Sequence, residues 1–122
     1  PLYKRALEIY EKVLGPEHPD VANTLNNLAA LYDSMGEYEK ALPLYNRALE
    51  IYEKVLGPEH PSVANTLNNL AILYYYTERY NEALPLLERS LKILKSKLGS
   101  AHPSFKTTEQ NIQDLKEKMK EM

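Results

Sequence analysis

The sequence repeats itself every 42 residues. Gly15-Pro16-Glu17-His18-Pro19 returns as Gly57-Pro58-Glu59-His60-Pro61, and the string VANTLNNLA that starts at Val21 starts again at Val63. Residues 1–42 and 43–84 are identical at 32 of 42 positions. A third, diverged copy is visible in Ser90-Leu91-Lys92-Ile93 and in Gly99-Ser100-Ala101-His102-Pro103. A unit of this length cannot bury its own apolar face, so neighbouring units must stack and share a continuous core.

Within each period, apolar residues recur at helical spacing. Val21, Leu25, Leu28 and Tyr32 fall on one stripe, flanked by Ala22 and Ala29, where a neighbouring helix can approach closely. Tyr38, Ala41, Leu42, Tyr45, Ala48, Leu49 and Tyr52 form a second stripe. The stripes are separated at Met35-Gly36-Glu37, and the periods at Leu56-Gly57-Pro58-Glu59-His60-Pro61. Glycine ends helices and proline suits the first turn of the next. The pattern predicts six helices at about 2–14, 19–35, 38–56, 61–77, 80–98 and 103–121. No stretch alternates with period two, so the expected class is all-α.

Two departures modify this reading. Pro43 and Pro85 lie inside predicted helices, where each removes a backbone donor, and a bend is expected there. In the last copy Leu67, Ala71 and Tyr74 become Glu109, Gln113 and Lys116, so one face turns polar, as a terminal capping helix requires. Leu2, Tyr3, Ala6 and Leu7 keep the interior pattern. A chain that opens at Pro1 in mid-hairpin therefore reads as a piece of a longer array, or one that self-associates head to tail. The expected organisation is a single array over 1–122. Residues 1–14 are the second helix of a truncated repeat, 15–56 and 57–98 are repeats, and 99–122 is the cap.

Composition excludes several function classes. A net charge of −2 offers no basic field for nucleic acid or an acidic membrane. With no cysteine, disulfides, thiolate nucleophiles and Cys-ligated zinc are excluded. No apolar run is long enough for a membrane span, and no secretory leader pattern opens the sequence, so a cytoplasmic location is expected. His18, His60 and His102 recur once per period before a proline. Stacked helices lie about 8–10 Å apart, whereas zinc needs several ligands at about 2.0–2.2 Å, so these residues read as turn or helix-start residues. Glu50 and Lys54 form an i,i+4 helix pair on a solvated face. No phosphate loop, HExxH or nucleophile motif is present, and neither catalysis, a metal nor a cofactor is expected.

The residues Leu25, Leu28, Ala29, Tyr32, Gly36, Tyr38, Ala41, Tyr45 and Ala48 resemble the hairpin pattern of the tetratricopeptide repeat. The next copy carries Leu67, Leu70, Ala71, Tyr74, Glu78, Tyr80, Ala83, Leu87 and Ser90 at the same places. The resemblance covers the whole chain and accounts for ten tyrosines against one phenylalanine as repeat packing. Departures are Leu for the usual Trp, Glu78 for the turn glycine, and Glu53 for the helix-ending proline. The last lets the second helix run on, and the resulting period is similar to that of kinesin light chains and their bacterial relatives. The resemblance implies a right-handed α-solenoid of antiparallel hairpins whose concave surface holds extended peptides.

The first helix of each hairpin lines that surface in such folds. With Leu25, Leu28 and Tyr32 facing the core, Asn23, Asn26, Asn27, Ala30, Asp33 and Ser34 project away from it. The second-copy set is Asn65, Asn68, Asn69, Ile72, Tyr75 and Tyr76. An asparagine both donates and accepts, so it can pair with a peptide backbone whatever its sequence. Asn27, Asn69 and Asn111 form a ladder, and in similar repeats the matching asparagine contacts the cargo main chain. Tyr75 and Tyr76 replace Asp33 and Ser34, adding area for a peptide or for the next helix. Asn23, Asn27, Asn65, Asn69, Tyr76 and Asn111 are the expected peptide-binding residues, with a protein or peptide as the partner. The near absence of positive charge on this face argues against a clamp for a terminal carboxylate. Arg5, Arg47 and Arg89 form a second ladder, at the groove edge or paired with nearby glutamates. The alternative role is a structural spacer, or a self-associating segment.

Overall fold

The computed structural model describes residues 2–15 and 17–121, apart from the side chains of Leu2 and Tyr3, which lie outside the described part along with their expected interior role. Among the described residues it contains six α-helices and no strand. These are α1 (Leu2–Leu14), α2 (Pro19–Ser34), α3 (Tyr38–Leu56), α4 (Pro61–Tyr76), α5 (Tyr80–Leu98) and α6 (Pro103–Lys120). The chain divides into two compact units, 1–58 and 59–122. In the first, α2 packs on α3 and on α1; in the second, α5 packs on α4 and on α6.

Each helix that opens with proline starts in the same way. His18, His60 and His102 hold extended backbone, which the following proline favours, and each Nδ1 accepts from the backbone N–H two residues on, at 3.1, 3.0 and 3.1 Å. The histidines thus satisfy a donor that the helix start leaves unpaired. Thr24, Thr66 and Thr108 are buried one turn further in, and their hydroxyls donate to the carbonyls of Asp20, Ser62 and Ser104.

The turn inside each hairpin is a Schellman closure. Glu37 N–H bonds Tyr32 O and Gly36 N–H bonds Asp33 O; Arg79 N–H bonds Tyr74 O and Glu78 N–H bonds Tyr75 O. The geometry needs a left-handed residue at its centre. Gly36 supplies it at φ 76°, whereas in the second unit Glu78 is forced to φ 61°.

The cores follow the apolar stripes. Val21, Leu25 and Leu28 of α2 are buried with Tyr45, Ile51 and Tyr52 of α3. In the second unit Ala71, Tyr80, Ala83, Leu87, Ile112 and Leu115 form one buried cluster, with Tyr74, Leu84 and Met119 against it. Helices α3 and α5 run without interruption through Pro43 and Pro85. Helix α6 buries Phe105, Thr108, Ile112 and Leu115, while Glu109, Gln113 and Lys116 are exposed.

Two expectations are corrected. Lys54 pairs with Glu17 at 2.7 Å rather than with Glu50, because the last turn of α3 brings it beside the loop that precedes α2. Tyrosine is not uniformly packing material. Tyr45, Tyr52 and Tyr80 are buried, but Tyr10 is exposed although it is the copy of Tyr52.

Replacing Glu78 with glycine removes a left-handed penalty of about 1–2 kcal/mol, offset in part by the roughly 0.5–1 kcal/mol that glycine's unfolded-state freedom costs. Guanidinium denaturation of Glu78→Gly is therefore expected to show a net gain of about 0.5–1 kcal/mol. A loss of stability would contradict the assigned strain.

Candidate functional site

Helices α4 and α6 lie side by side in the second unit, and Asn68 Nδ2 donates to Thr108 Oγ1 between them at 3.1 Å. Beside this link is a cleft of about 280 Å³. Its apolar lining comes from Ala71, Ile72, Leu87 and Leu115, its aromatic wall from Tyr75 and Tyr76, and its polar groups from Asn111 and Asp114. The Tyr75 and Tyr76 rings meet edge to face, with centroids 5.8 Å apart at 79°. Tyr75 also packs against Tyr80 at 5.5 Å, which ties the wall to the start of α5.

Two expected site residues, Tyr76 and Asn111, therefore converge. Asn65 and Asn69 share the α4 face of Ile72 and Tyr76, at i, i+4, i+7 and i+11, but do not line the cleft. Asn23 and Asn27 lie on α2, in the other unit. Among the described residues, the side chains of Asn27, Asn65, Asn69 and Asn111 make no hydrogen bond, and their amides are open to a partner. Asn23 is engaged: its Oδ1 accepts from the Tyr52 hydroxyl of α3. Asn68 is likewise occupied, as the bridge to Thr108.

The two hairpins differ at positions that line this cleft. In the first, the Tyr45 hydroxyl donates to Asp33 Oδ2 at 3.5 Å. The equivalent positions are Leu87 and Tyr75, so a polar pair has become two cleft-lining apolar surfaces. Similarly, Leu94 stands where Tyr52 stood, which leaves Asn65 without the bond that holds Asn23. Asp114 was missed as a site residue, yet its register was legible, since it lies one 42-residue period after Ile72.

Charge elsewhere is used internally. Arg47 pairs with Glu11 at 2.6 Å, joining α3 to α1, as expected for the arginine ladder's glutamate pairing. Lys4 and Lys40 sit over the Tyr32 ring at 6.0 and 5.6 Å, and Arg79 over Tyr74 at 4.5 Å. Among the described residues, no three His, Cys, Asp or Glu side chains gather as metal ligands, and no helix is long and apolar enough to cross a membrane.

The sequence matches the family described as Tetratricopeptide repeat over residues 1–54 and again over 34–96. Its fold is similar to that of BtubC (BKLC) from P. vanneervenii, with a TM-score of 0.85 and 30% identity, over 93% of this chain and 45% of that one. It is also similar to a candidate kinesin light chain of nearly identical TPR-like repeats from Podosopora anserina. There the TM-score is 0.85 and the identity 30%, over 93% of this chain and 54% of that one. The chain thus spans about half the length of these structures. No curated protein matches it.

Burial, with the Asp33 carboxylate beside it, pushes the Tyr45 hydroxyl up to about 12. Burial also raises Tyr52, and it raises Asp33 against the opposing bond from Tyr45. A phenol raised in the folded state keeps its proton while the unfolded chain, near 10, loses it. The stability is intact below about pH 10 and lost as pH rises from 10 to 12. Denaturation across that window is expected to show a falling midpoint, with a shallower fall in Tyr45→Phe; an unchanged slope would contradict the assignment.

Proposed function

The chain belongs to the tetratricopeptide repeat family, and from that premise we propose that it is a protein-interaction segment holding an extended peptide along the α4–α6 face of residues 59–122. Repeats of this family form α-solenoids that generally serve protein binding rather than catalysis. The observation that carries the reading is the convergence of Tyr76 and Asn111 on one cleft, with the open amides of Asn65 and Asn69 continuing along α4. Tyr76 is 61% exposed and Ile72 38% exposed, so both present apolar area to an incoming chain. The asparagines offer a donor and an acceptor each to a peptide backbone. Asn27 supplies the same group in the first unit, while Asn23 takes part only by giving up Tyr52.

Peptides selected from a displayed random library on the wild-type chain should lose about tenfold or more in affinity for Asn69→Ala/Tyr76→Ala, because truncating an aromatic hot spot costs about 2 kcal/mol or more. Full retention by the double variant would remove the site assignment.

A second reading, self-association, is favoured by α1. Ile9 is 56% and Tyr10 40% exposed, whereas their copies Ile51 and Tyr52 are buried. That face would seat a second copy of the chain. Sedimentation velocity from micromolar to millimolar concentration is expected to show association that Ile9→Lys/Tyr10→Lys abolishes. A monomer throughout would contradict it.

A further inference from the structure

We propose that the α4–α6 cleft accepts a basic side chain, lysine or arginine, of the bound peptide, with Asp114 as the counter-charge and Tyr76 as the aromatic wall. This rests on the peptide-groove reading and adds the chemistry of the ligand. The volume, about 280 Å³, has room for one long side chain.

The charge pattern selects the sign. Asp114 is the one charged residue among those lining the cleft. Gln110 Nε2 donates to its Oδ1 at 2.9 Å, one helical turn back, which orients the carboxylate. Among the described residues it forms no ion pair: Lys118, one turn on, is turned to Glu121 at 3.7 Å. Helix α4, the other side of the cleft, carries no charged residue over its whole length. Nothing lining the cleft therefore offsets the Asp114 charge, and a carboxylate on the ligand would be repelled there.

The aromatic wall suits the same ligand. A lysine or arginine stem is apolar and packs on Ile72 and Tyr76, while its head is attracted to ring faces as well as to the carboxylate. Within this chain, cations already sit over tyrosines near this end of each hairpin, at Tyr32 and at Tyr74.

The test uses a cellulose array of capped heptapeptides with randomised flanks and a fixed central arginine, lysine, norleucine or glutamate, probed with the labelled chain. Arginine and lysine spots are expected to retain roughly three- to tenfold more chain than norleucine spots, and glutamate spots the least. Asp114→Asn, an exposed substitution, is expected to bring the arginine and lysine spots down to the norleucine level. Equal capture by arginine, norleucine and glutamate spots, all lost in Tyr76→Ala, would overturn the basic-residue assignment and leave the groove standing. A preference that survives Asp114→Asn would overturn the role of that carboxylate. Capture no greater than that of Tyr76→Ala on every spot would overturn the groove reading and this inference with it.

Discussion

Paired helices approach closely at small side chains, and the rest of the structure depends on that closeness. Ala22 and Ala29 of α2, with Ala41 and Ala48 of α3, are fully buried; Ala64 and Ala71 of α4, with Ala83 and Ser90 of α5, repeat the arrangement. Ser90 tests how tight the contact is. It stands in an alanine position with no exposure, and its hydroxyl is satisfied because it donates to Ala64 O across the pair at 3.1 Å. A larger side chain there would push the helices apart and open the core that Leu67, Leu70 and Leu94 fill. With the backbones so close, each first helix is positioned by its partner, and its outward side chains are at liberty to differ between copies.

The two hairpins use that freedom differently. The first spends its polar groups on itself: Tyr45 on Asp33, Tyr52 on Asn23 and Arg47 on Glu11. In the second, leucine replaces both tyrosines, the aspartate becomes Tyr75, and the serine beside it becomes Tyr76. Each exchange removes an internal bond or adds apolar area, and together they produce a cleft with one carboxylate at its rim. A few substitutions between near-identical copies thus exchange internal tyrosine bonds for the apolar lining of a cleft.

Much of this was legible in the sequence because its punctuation is strong. Gly-Pro-Glu-His-Pro and the Gly36 turn mark helix ends, and the predicted boundaries differ from the observed ones by a single residue at Met35, Thr77 and Glu121. The apolar stripes identified the core for the same reason, since a period repeated twice averages out local noise. What was not legible depends on distances between helices. The Lys54–Glu17 pair, the Asn23–Tyr52 bond and the Asn68–Thr108 bridge join residues 37, 29 and 40 positions apart. No local pattern announces these. Asp114 shows the intermediate case: its register follows from the period, but its place beside Tyr76 emerges only when α4 and α6 are set together.

The central claim is that the α4–α6 face of residues 59–122 is the binding surface. Amide and side-chain NMR shifts of the chain, followed while a library-selected peptide is titrated in, test it most directly. The account predicts that the largest perturbations fall on Asn69, Ile72, Tyr76, Asn111 and Asp114, with little change on the outer face of α5. Perturbations centred on α1 or on the exposed face of α5, with those five residues unmoved, would contradict it.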